Sequence, residues 1–410
     1  MTSLACLSDD AASDTPQDEP NGRGNRDDRP PAPRLKVWSI LNSLTTGGAE
    51  MLVANLHANF AAHGAASTVV ALCDAPMLGN SPETEARLTQ EIAATGRFVS
   101  LRLDGRRGMF AGARALRRLL RTGRPDVIHA HTARALPMIA ISGYRGAVVL
   151  THHNSRLPFS PRLFRVFDQV VTHYVAISHE VAAIYRQHSR RPFTLIANAP
   201  AAIFTAAAPR QAMANPLRIL SVGAISDQKN YPLLVETAHM LRGQLRRRMP
   251  ERPLPRFRIA GGGCDLEAMR ALVVRRGLEG MVDFLGERDD VPALLADSDL
   301  FLNTSKYEGM SVAILEAFAS ALPVIATDVP GNRDLVEPHR SGLIAPERGH
   351  QLAGAILRLM ETPGLYGRLS QGALATGRDY TIEAATARHV ALYTGLLPQK
   401  PADGAPKVLA

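Results

Sequence analysis

The 410-residue chain has only three cysteines, and no two of them form a Cys-x-x-Cys pair. Cys6, Cys73 and Cys264 stand far apart, which argues against a disulfide framework and predicts a reducing compartment. The chain has no run of eighteen apolar residues, and no basic N-terminal region precedes an apolar segment. We therefore expect neither a transmembrane helix nor a signal peptide, and we predict a cytoplasmic protein.

Aromatic residues make up only 5% of the chain, and no aromatic stacking platform accompanies the basic residues. Binding of nucleic acid is therefore not expected. Lys and Arg total 47 against 38 Asp and Glu, a formal charge of +9 that suits acidic partners or an anionic membrane surface. Hydrophobic residues account for 46% of the chain, which is enough to fill two cores.

Predicted strands and helices alternate along the chain, which indicates parallel sheets covered by helices on both faces. The predicted strands are 36–41, 68–72, 127–130, 148–151, 217–222, 257–260, 282–285, 299–303 and 323–326. A segment rich in Pro, Ala and Asn interrupts this alternation and predicts a linker. The fold class is therefore α/β, with two tandem Rossmann-like, doubly wound domains that face a central cleft, where ligands of such folds bind.

The predicted boundaries follow from these patterns. They are a disordered tail at 1–34, an N-terminal domain at 35–199, the linker at 200–216, a C-terminal domain at 217–376, a C-terminal helical segment at 377–398 and a second disordered tail at 399–410. The first tail is rich in Asp, Pro, Arg and Gly and cannot bury enough apolar surface to fold. The helical segment could pack back on the N-terminal domain.

The most informative segment is SKYEGMSVAILEAFASALPVIA, residues 305–326, which predicts one βαβ unit with Gly309 in its first turn. Backbone amides and the helix dipole at such a turn attract an anion, typically a phosphate. If Glu308 and Glu316 were both helical, they would lie roughly 12 Å apart. That separation excludes the ~5 Å pair of a retaining glycosidase and suits one extended ligand with hydroxyl groups at both ends.

Other predicted strand ends carry glycine or lysine. Gly47 and Gly48 form a turn that a phosphate or sugar could approach, although a tight turn explains them equally well. Lys229 ends the loop that Gly223 begins, where its side chain could reach a diphosphate; alternatively it is a solvated surface lysine. The glycines at 261–263 leave space for a base or a ribose, and tight-turn geometry is again an equal explanation.

Two groups of residues suggest a metal at first. His129 and His131 end one predicted strand on the same side, and His152 and His153 end the next strand. No recognisable ligand spacing accompanies them, so we predict no metal and favour hydrogen bonds to phosphate or sugar hydroxyls. For His129, a packed and satisfied core histidine is an equal explanation. The Asp-Ser-Asp triplet at 297–299 precedes its strand and thus lies at the wrong end of the sheet for a ligand.

A basic segment lies between Arg102 and Arg124, which contains eight arginines and a single acid, Asp104. Apolar residues recur at helical spacing from Phe110 onwards, and arginines occupy the other side of the predicted helix. This pattern is a candidate for contact with an anionic membrane. An ordinary helix with solvated arginines explains the pattern equally well.

Several motifs, taken in order, resemble the retaining glycosyltransferase family four, which adopts the two-domain GT-B fold. They are GGAE, DVIHAHT, VAISHEV, VGAISDQKN, FLGERDDVPALLADSDLFLNTS and YEGMSVAILEAFASALPVIATDVPGN. The resemblance runs from about 37 to 342. It implies metal-independent transfer of a sugar, with retention, from a nucleotide-diphosphate donor to a hydroxyl of a glycan or lipid-linked acceptor, as in polysaccharide, capsule, lipopolysaccharide or glycolipid assembly. The alternatives are a nucleotide-sugar epimerase of the same fold and a non-catalytic nucleotide-sugar-binding protein.

The resemblance also implies roles for residues that match the family motifs. Glu308 would bind hydroxyls of the donor sugar, Glu316 would bind the ribose, and the amides of Gly309, Met310 and Ser311 would hold the diphosphate. The implied catalytic residues are His131, Glu308 and Lys229. The implied donor-binding residues are Gly47, Gly48, Gly223, Lys229, Gly261, Gly263, Glu308, Gly309, Met310, Ser311 and Glu316. The implied residues on the acceptor side are His129 and His153. No cofactor besides the nucleotide-sugar co-substrate is implied.

The chain departs from the family pattern at two positions. Ala224 stands where the family usually has an arginine that binds phosphate, so one expected cation is missing, and Arg333 could substitute for it. Ala321 stands where the turn from helix to strand normally has glycine. The second change should cost little unless the residue needs a positive φ.

Overall fold

The computed structural model describes residues 35–45, 47–74, 82–103, 108–206 and 208–398. The predicted disordered tails at 1–34 and 399–410 lie outside these residues. The described residues form two sheets of parallel strands, one of seven strands and one of six. The predicted fold class is thereby confirmed.

The first sheet has the strand order β3-β2-β1-β4-β5-β6-β7. Its strands are β1 (Leu35–Leu41), β2 (Ala65–Ala71), β3 (Arg97–Ser100), β4 (Val127–Ala130), β5 (Ala147–Thr151), β6 (His173–Ala176) and β7 (Phe193–Leu195). The helices that alternate with them are α1 (Gly48–Phe60), α2 (Pro82–Thr95), α3 (Met109–Gly123), α4 (Leu136–Ser142), α5 (Phe164–Phe167) and α6 (His179–His188). The central strands are buried on both faces, which explains their nearly continuous apolar sequences.

The second sheet has the strand order β10-β9-β8-β11-β12-β13. Its strands are β8 (Arg218–Val222), β9 (Arg256–Ala260), β10 (Val282–Gly286), β11 (Leu300–Asn303), β12 (Val324–Thr327) and β13 (Gly342–Ala345). The helices of this half are α7 (Tyr231–Arg248), α8 (Leu266–Arg275), α9 (Val291–Ala296), α10 (Val312–Ala319), α11 (Pro330–Arg333), α12 (Gly349–Glu361) and α13 (Leu365–Gly377). The strand order reverses between β8 and β11, and the loops after these strands form the site described below.

The last helix, α14 (Ile382–Gly395), returns to the N-terminal domain. Its residues Ile382, Ala385 and Tyr393 belong to the same buried apolar cluster as Leu56 and Phe60 of α1. Helices α3 to α6 contribute to a different cluster. One face of the first sheet is therefore covered by α1 and α14, and the other by α3 to α6.

Candidate functional site

The loop after β8 is hydrogen-bonded to the loop after β11. Thr304 Oγ1 donates to the carbonyl oxygen of Lys229 at 2.9 Å, and the amide of Lys306 donates to the carbonyl oxygen of Gln228 at 2.8 Å. The side-chain amide of Gln228 donates in turn to the carbonyl oxygen of Tyr307 at 3.1 Å. These bonds hold Lys229 beside the segment that the sequence marked as an anion site.

Lys229 and Glu308 form an ion pair at the centre of this site. The Lys229 ammonium lies 2.6 Å from Glu308 Oε1, and the side chains are only 20% and 6% exposed. Ser305 Oγ donates to the same carboxylate oxygen at 2.7 Å. Gly223 has φ +150°, and a Cβ there would lie 2.9 Å from Lys229 Cε, so glycine leaves room for the lysine side chain. Lys229 is thus a held, paired cation and not a solvated surface residue.

Glu316 lies in α10, whereas Glu308 precedes this helix, so the separation estimated for two helical glutamates does not apply. Glu316 is half-buried, and no described residue forms a hydrogen bond with its carboxyl group. Burial raises the pKa of Glu316 to about 8, and the nearby charge of Lys229 offsets part of that rise. At neutral pH this group can therefore be protonated and donate a hydrogen bond to a ligand.

The segment before α10 presents polar groups that other described residues leave unpaired. The amides of Gly309, Met310 and Ser311 donate no hydrogen bond within the described chain, and the buried Ser311 Oγ has no partner there. Asn198 holds the segment in place, because its side-chain amide donates to the carbonyl oxygen of Met310 at 3.0 Å. Unpaired amides at the start of a helix are suited to an anionic ligand.

The N-terminal domain approaches this segment closely. A Cβ at Gly309 would lie 2.5 Å from the carbonyl oxygen of His153, and one at Gly48 would lie 3.5 Å from the Val312 side chain. The guanidinium of Arg156 lies 5.4 Å from the centre of the Tyr307 ring. The absence of a side chain at Gly309 therefore lets the two domains approach each other closely, and its role in donor binding stays a prediction.

Two histidines of the N-terminal domain face each other at the ends of β4 and β5. His131 Nδ1 and His153 Nε2 are hydrogen-bonded at 2.9 Å. The other nitrogen of each ring, His131 Nε2 and His153 Nδ1, is buried without a partner in the described chain. Burial, with a smaller contribution from neighbouring histidines, lowers the pKa of both rings. Both are therefore neutral at pH 7, and each can offer its free nitrogen to a hydroxyl group.

His129 is not on the acceptor side, and that assignment is corrected. The residue is fully buried, with Nε2 bonded to Thr151 Oγ1 at 2.7 Å and Nδ1 bonded to the Tyr393 hydroxyl at 2.6 Å. Both ring nitrogens are satisfied within the protein. The alternation argument placed His129 and His131 on one side of the strand, but α14 covers that side at the position of His129.

The glycines after β9 pack closely against the backbone of the loop after β8. A Cβ at Gly261 would lie 2.0 Å from the carbonyl oxygen of Gly223, and one at Gly263 would lie 2.4 Å from that of Ile225. Both glycines also have positive φ. Of the two explanations considered, the structure supports close backbone packing, and a donor-binding role of these glycines stays a prediction.

The Gly-Gly turn before α1 contains a group that the sequence reasoning missed. Gly47 has φ −67°, a backbone conformation that any residue can adopt, so the turn itself does not require glycine at this position. A Cβ at Gly47 would lie 2.3 Å from Glu50 Oε2, so the carboxyl group of Glu50 folds back over the turn. Burial raises the pKa of Glu50 to about 7. The GGAE motif contains this acid, but only the closeness of Gly48 to Val312 of α10 shows that the motif lies near the site.

The acids of the Asp-Ser-Asp triplet are paired with arginines. Asp299 accepts from Arg218 at 2.9 Å, and Asp297 accepts from Arg258 at 2.9 Å. Their partners neutralise both carboxylates at the opposite end of the sheet from Lys229. In the described ranges, no cluster of three or more His, Cys, Asp or Glu residues could hold a metal ion.

The two departures from the family pattern have structural consequences. Arg333 is exposed and paired with Asp328, so in this structure it does not substitute for the missing cation near Lys229. Ala224 is exposed on the loop after β8. Ala321 is buried with φ +57°, a left-handed conformation that favours glycine. Alanine in place of the family's glycine therefore strains the backbone at this position.

Two family models match the chain. Residues 46–199 match the model described as Glycosyltransferase Family 4, and residues 207–375 match the model described as Glycosyl transferases group 1. Among curated proteins, the amylovoran biosynthesis glycosyltransferase AmsK of Erwinia amylovora is 33% identical over 181 residues, which are 40% of this chain and 38% of AmsK. The alpha-D-kanosaminyltransferase of Streptomyces kanamyceticus is 28% identical over 43% of this chain and 45% of its own length. The aligned part thus spans less than half of each relative.

Solved structures show the same fold at low sequence identity. HepE of Anabaena, in complex with UDP and glucose, has a TM-score of 0.71 at 20% identity and covers 88% of this chain and 100% of its own. TarM of S. aureus, in complex with Fondaparinux, alpha-GlcNAc-glycerol and UDP, has a TM-score of 0.72 at 13% identity and covers 88% of this chain and 99% of its own. The two-sheet architecture is therefore the fold of these solved structures.

Proposed function

Because this chain belongs to glycosyltransferase family four, with a C-terminal half of the glycosyl transferases group 1 type, we propose that it transfers a sugar from a nucleotide-diphosphate donor to an acceptor hydroxyl with retention. The observation that carries the proposal is the buried pair of Lys229 and Glu308 beside the unpaired amides that precede α10. A cation, a carboxylate and free amides within one short segment match the phosphate and the hydroxyl groups of such a donor.

The roles of these groups follow from their chemistry. Lys229 and the amides of Gly309, Met310 and Ser311 bind the diphosphate and stabilise the charge that develops on it when the bond to the sugar breaks. Glu308 accepts hydrogen bonds from the sugar, and Glu316 binds the ribose. The reaction needs no metal, since fixed donors supply the charge stabilisation that a metal would otherwise provide. HepE and TarM, solved with UDP, support a nucleotide-diphosphate donor.

The acceptor approaches from the N-terminal domain. His131 Nε2 lies near the transferred sugar, and His153 Nδ1 contacts the acceptor side, since both nitrogens are buried and otherwise unpaired. The names of AmsK and of the lipopolysaccharide core biosynthesis glycosyltransferase LpsE of Rhizobium meliloti, which is 24% identical over 56% of this chain, support a role in polysaccharide or lipopolysaccharide assembly. The acceptor is then a glycan or a lipid-linked glycan.

A cytoplasmic enzyme with a lipid-linked acceptor would work at the membrane surface, and α3 is suited to that contact. Phe110 is 73% exposed and Met109 is 40% exposed at the start of this helix. Arg114, Arg117, Arg118 and Arg121 follow on the same helix. Among the residues that the structure describes, no helix has both the length and the apolar composition needed to cross a bilayer. We therefore propose peripheral docking of α3 on anionic lipid.

Vesicle co-sedimentation tests the docking. The protein should pellet with anionic vesicles and not with neutral ones, and Phe110→Ser should weaken the binding. Ile203→Ser is the matched control, because Ile203 is 69% exposed but lies outside α3. Equal pelleting with neutral and anionic lipid, or equal effects of the two substitutions, would show that α3 is an ordinary solvated helix.

Product analysis tests the transferase proposal. The purified chain is incubated with UDP-, GDP- or ADP-sugars and extracted lipid-linked glycans, and the products are followed by mass spectrometry and NMR. We expect a mass gain of one sugar, with the anomeric configuration of the donor kept. A changed sugar without transfer would establish the epimerase alternative, and binding without any turnover would establish the non-catalytic alternative.

A further inference from the structure

A buried chain of aromatic side chains connects the C-terminal helix to the cleft. It begins at Tyr393 of α14, whose hydroxyl is bonded to His129 Nδ1 at 2.6 Å. The other nitrogen of His129 is bonded to Thr151 Oγ1 at 2.7 Å. Tyr393 and His129 are both fully buried. Bonds at both nitrogens fix the plane of the His129 ring, so this ring cannot turn without losing a buried hydrogen bond.

The fixed ring of His129 packs directly on His131. The two ring centres are 4.0 Å apart, and the planes are inclined by 35°. His131 is also bonded to His153, whose ring centre lies 5.2 Å away with its plane inclined by 22°. His131 is thus held between one ring that cannot rotate and one hydrogen-bonded ring. Its Nε2 is buried and has no partner among the described residues, so it is the unsatisfied end of this series of rings.

The His129 ring and the Tyr393 hydroxyl are both neutral at pH 7. Burial, and then the proximity of His389 and His153, holds the pKa of His129 well below its usual range. Burial also raises the pKa of Tyr393 above its usual range, so its hydroxyl keeps its proton. A neutral imidazole has one donor and one acceptor nitrogen, and a hydroxyl can serve either one. The bond between Tyr393 and His129 is therefore satisfied in both tautomers of His129.

We propose that Tyr393 is a positioning residue for sugar transfer, which acts through His129 to fix the ring of His131. The proposal rests on the proposed function, in which His131 contacts the transferred sugar. Tyr393 also fills space between α14 and α1, since its ring lies 6.1 Å from that of Phe60. Removal of the hydroxyl alone separates this packing role from positioning, because the ring stays in place.

Tyr393→Phe is the test variant, and Tyr174→Phe is its matched control. Tyr174 is also fully buried in the N-terminal domain, and its hydroxyl donates to Asp168 at 2.9 Å and not to a histidine. Both variants should lose thermal stability. Only Tyr393→Phe should lower kcat, by roughly tenfold, because a displacement of about 1 Å at a reacting group can cost up to about 10²-fold in rate. The KM for the donor should stay within about twofold in both variants.

A double substitution decides whether Tyr393 acts through His131. In a His131→Ala background, Tyr393→Phe should cause no further loss of kcat, because there is no ring left to position. The same loss of kcat in both backgrounds, or a loss of stability with kcat unchanged, would overturn the proposal.

NMR of histidine-labelled protein without any substrate supplies a readout that does not depend on the proposed function. Tyr393→Phe should shift the ring signals of His131, whereas Tyr174→Phe should leave them unchanged. Unchanged His131 signals in Tyr393→Phe would refute the positioning role even if the protein transfers sugar. Shifted signals in a protein without transferase activity would instead show that the proposed function had failed while the structural coupling held.

Discussion

Replacement of Lys229 by methionine should destabilise the protein and weaken donor binding for separate reasons. In the free protein, Lys229 neutralises Glu308, whose side chain is only 6% exposed. Removal of one partner of a buried ion pair costs about 3–5 kcal/mol, because the other charge is left without compensation. Lys229 is itself 20% exposed, and Glu308 keeps its bond from Ser305, so we expect about 2–3 kcal/mol.

The second effect concerns the donor. A hydrogen bond to a charged group contributes about 1.5–3 kcal/mol, so loss of the ammonium should weaken the affinity for a nucleotide sugar by about 10- to 150-fold. The double variant Lys229→Met with Glu308→Gln separates the two effects. It removes both charges, so most of the lost stability should return, with a coupling of about 1–3 kcal/mol between the two sites. Donor affinity should stay low.

Thermal unfolding and calorimetric titration measure these two quantities. A loss of 2–3 kcal/mol in a unit of about 150–250 residues lowers Tm by about 4–12 °C. The reasoning is refuted if the effects of the two single substitutions on stability simply add in the double variant. It is equally refuted if Lys229→Met binds the donor as well as the wild type does.

Three further predictions concern other parts of the site. Burial raises the pKa of Glu316 to about 8, so the folded protein keeps a proton that the unfolded chain releases near pH 4.5. The stability that this proton provides is lost as the pH rises through 8. Glu316→Gln should therefore raise Tm more at pH 8.5 than at pH 5, and a pH-independent difference would contradict this. Gly309→Ala should weaken donor binding, because its Cβ would meet the carbonyl oxygen of His153. Gly354→Ala, in open space on α12, should leave binding unchanged and stabilise the protein by about 0.5–1 kcal/mol. Equal donor affinities of the two variants would contradict the close approach of Gly309 to His153. Ala321→Gly relieves about 1–2 kcal/mol of strain from the left-handed backbone conformation. It also loses about 0.8 kcal/mol from burial of the methyl group and about 0.5–1 kcal/mol because glycine has more conformational freedom in the unfolded chain. The free energy of unfolding in urea should therefore change by no more than about 1 kcal/mol, and a larger change would contradict this estimate.

The strands that the sequence predicted are mostly the central ones. Their apolar, β-branched runs are bounded by turn residues, and the observed limits differ from the predicted ones by a few residues at most. The strands that were not predicted are β3, β6, β7 and β13. They have only three or four residues each, and β7 and β3 are partly exposed at or near the sheet edge, so they lack a continuous apolar run. Short edge strands depend on their neighbours more than on their own sequence.

The candidate site was found in part, because its residues fall on strand ends where ligands of such folds bind. Lys229 and Glu308 were both named, but they are 79 positions apart and their direct pairing is visible only in the structure. The sequence did not show that His129 is satisfied within the protein, because its partner, Tyr393, lies 264 positions away. No local pattern could reveal a hydrogen bond across that separation, nor the closeness of Gly48 to Val312 of α10.

Calorimetric titration of the free protein with UDP-, GDP- and ADP-sugars is the most direct test of the donor site between Lys229, Glu308 and the start of α10. We predict that one class of nucleotide sugar binds, and that Lys229→Met weakens this binding by at least about tenfold. If none of the three binds, or if the wild type and Lys229→Met bind equally well, the segment before α10 is not the donor site.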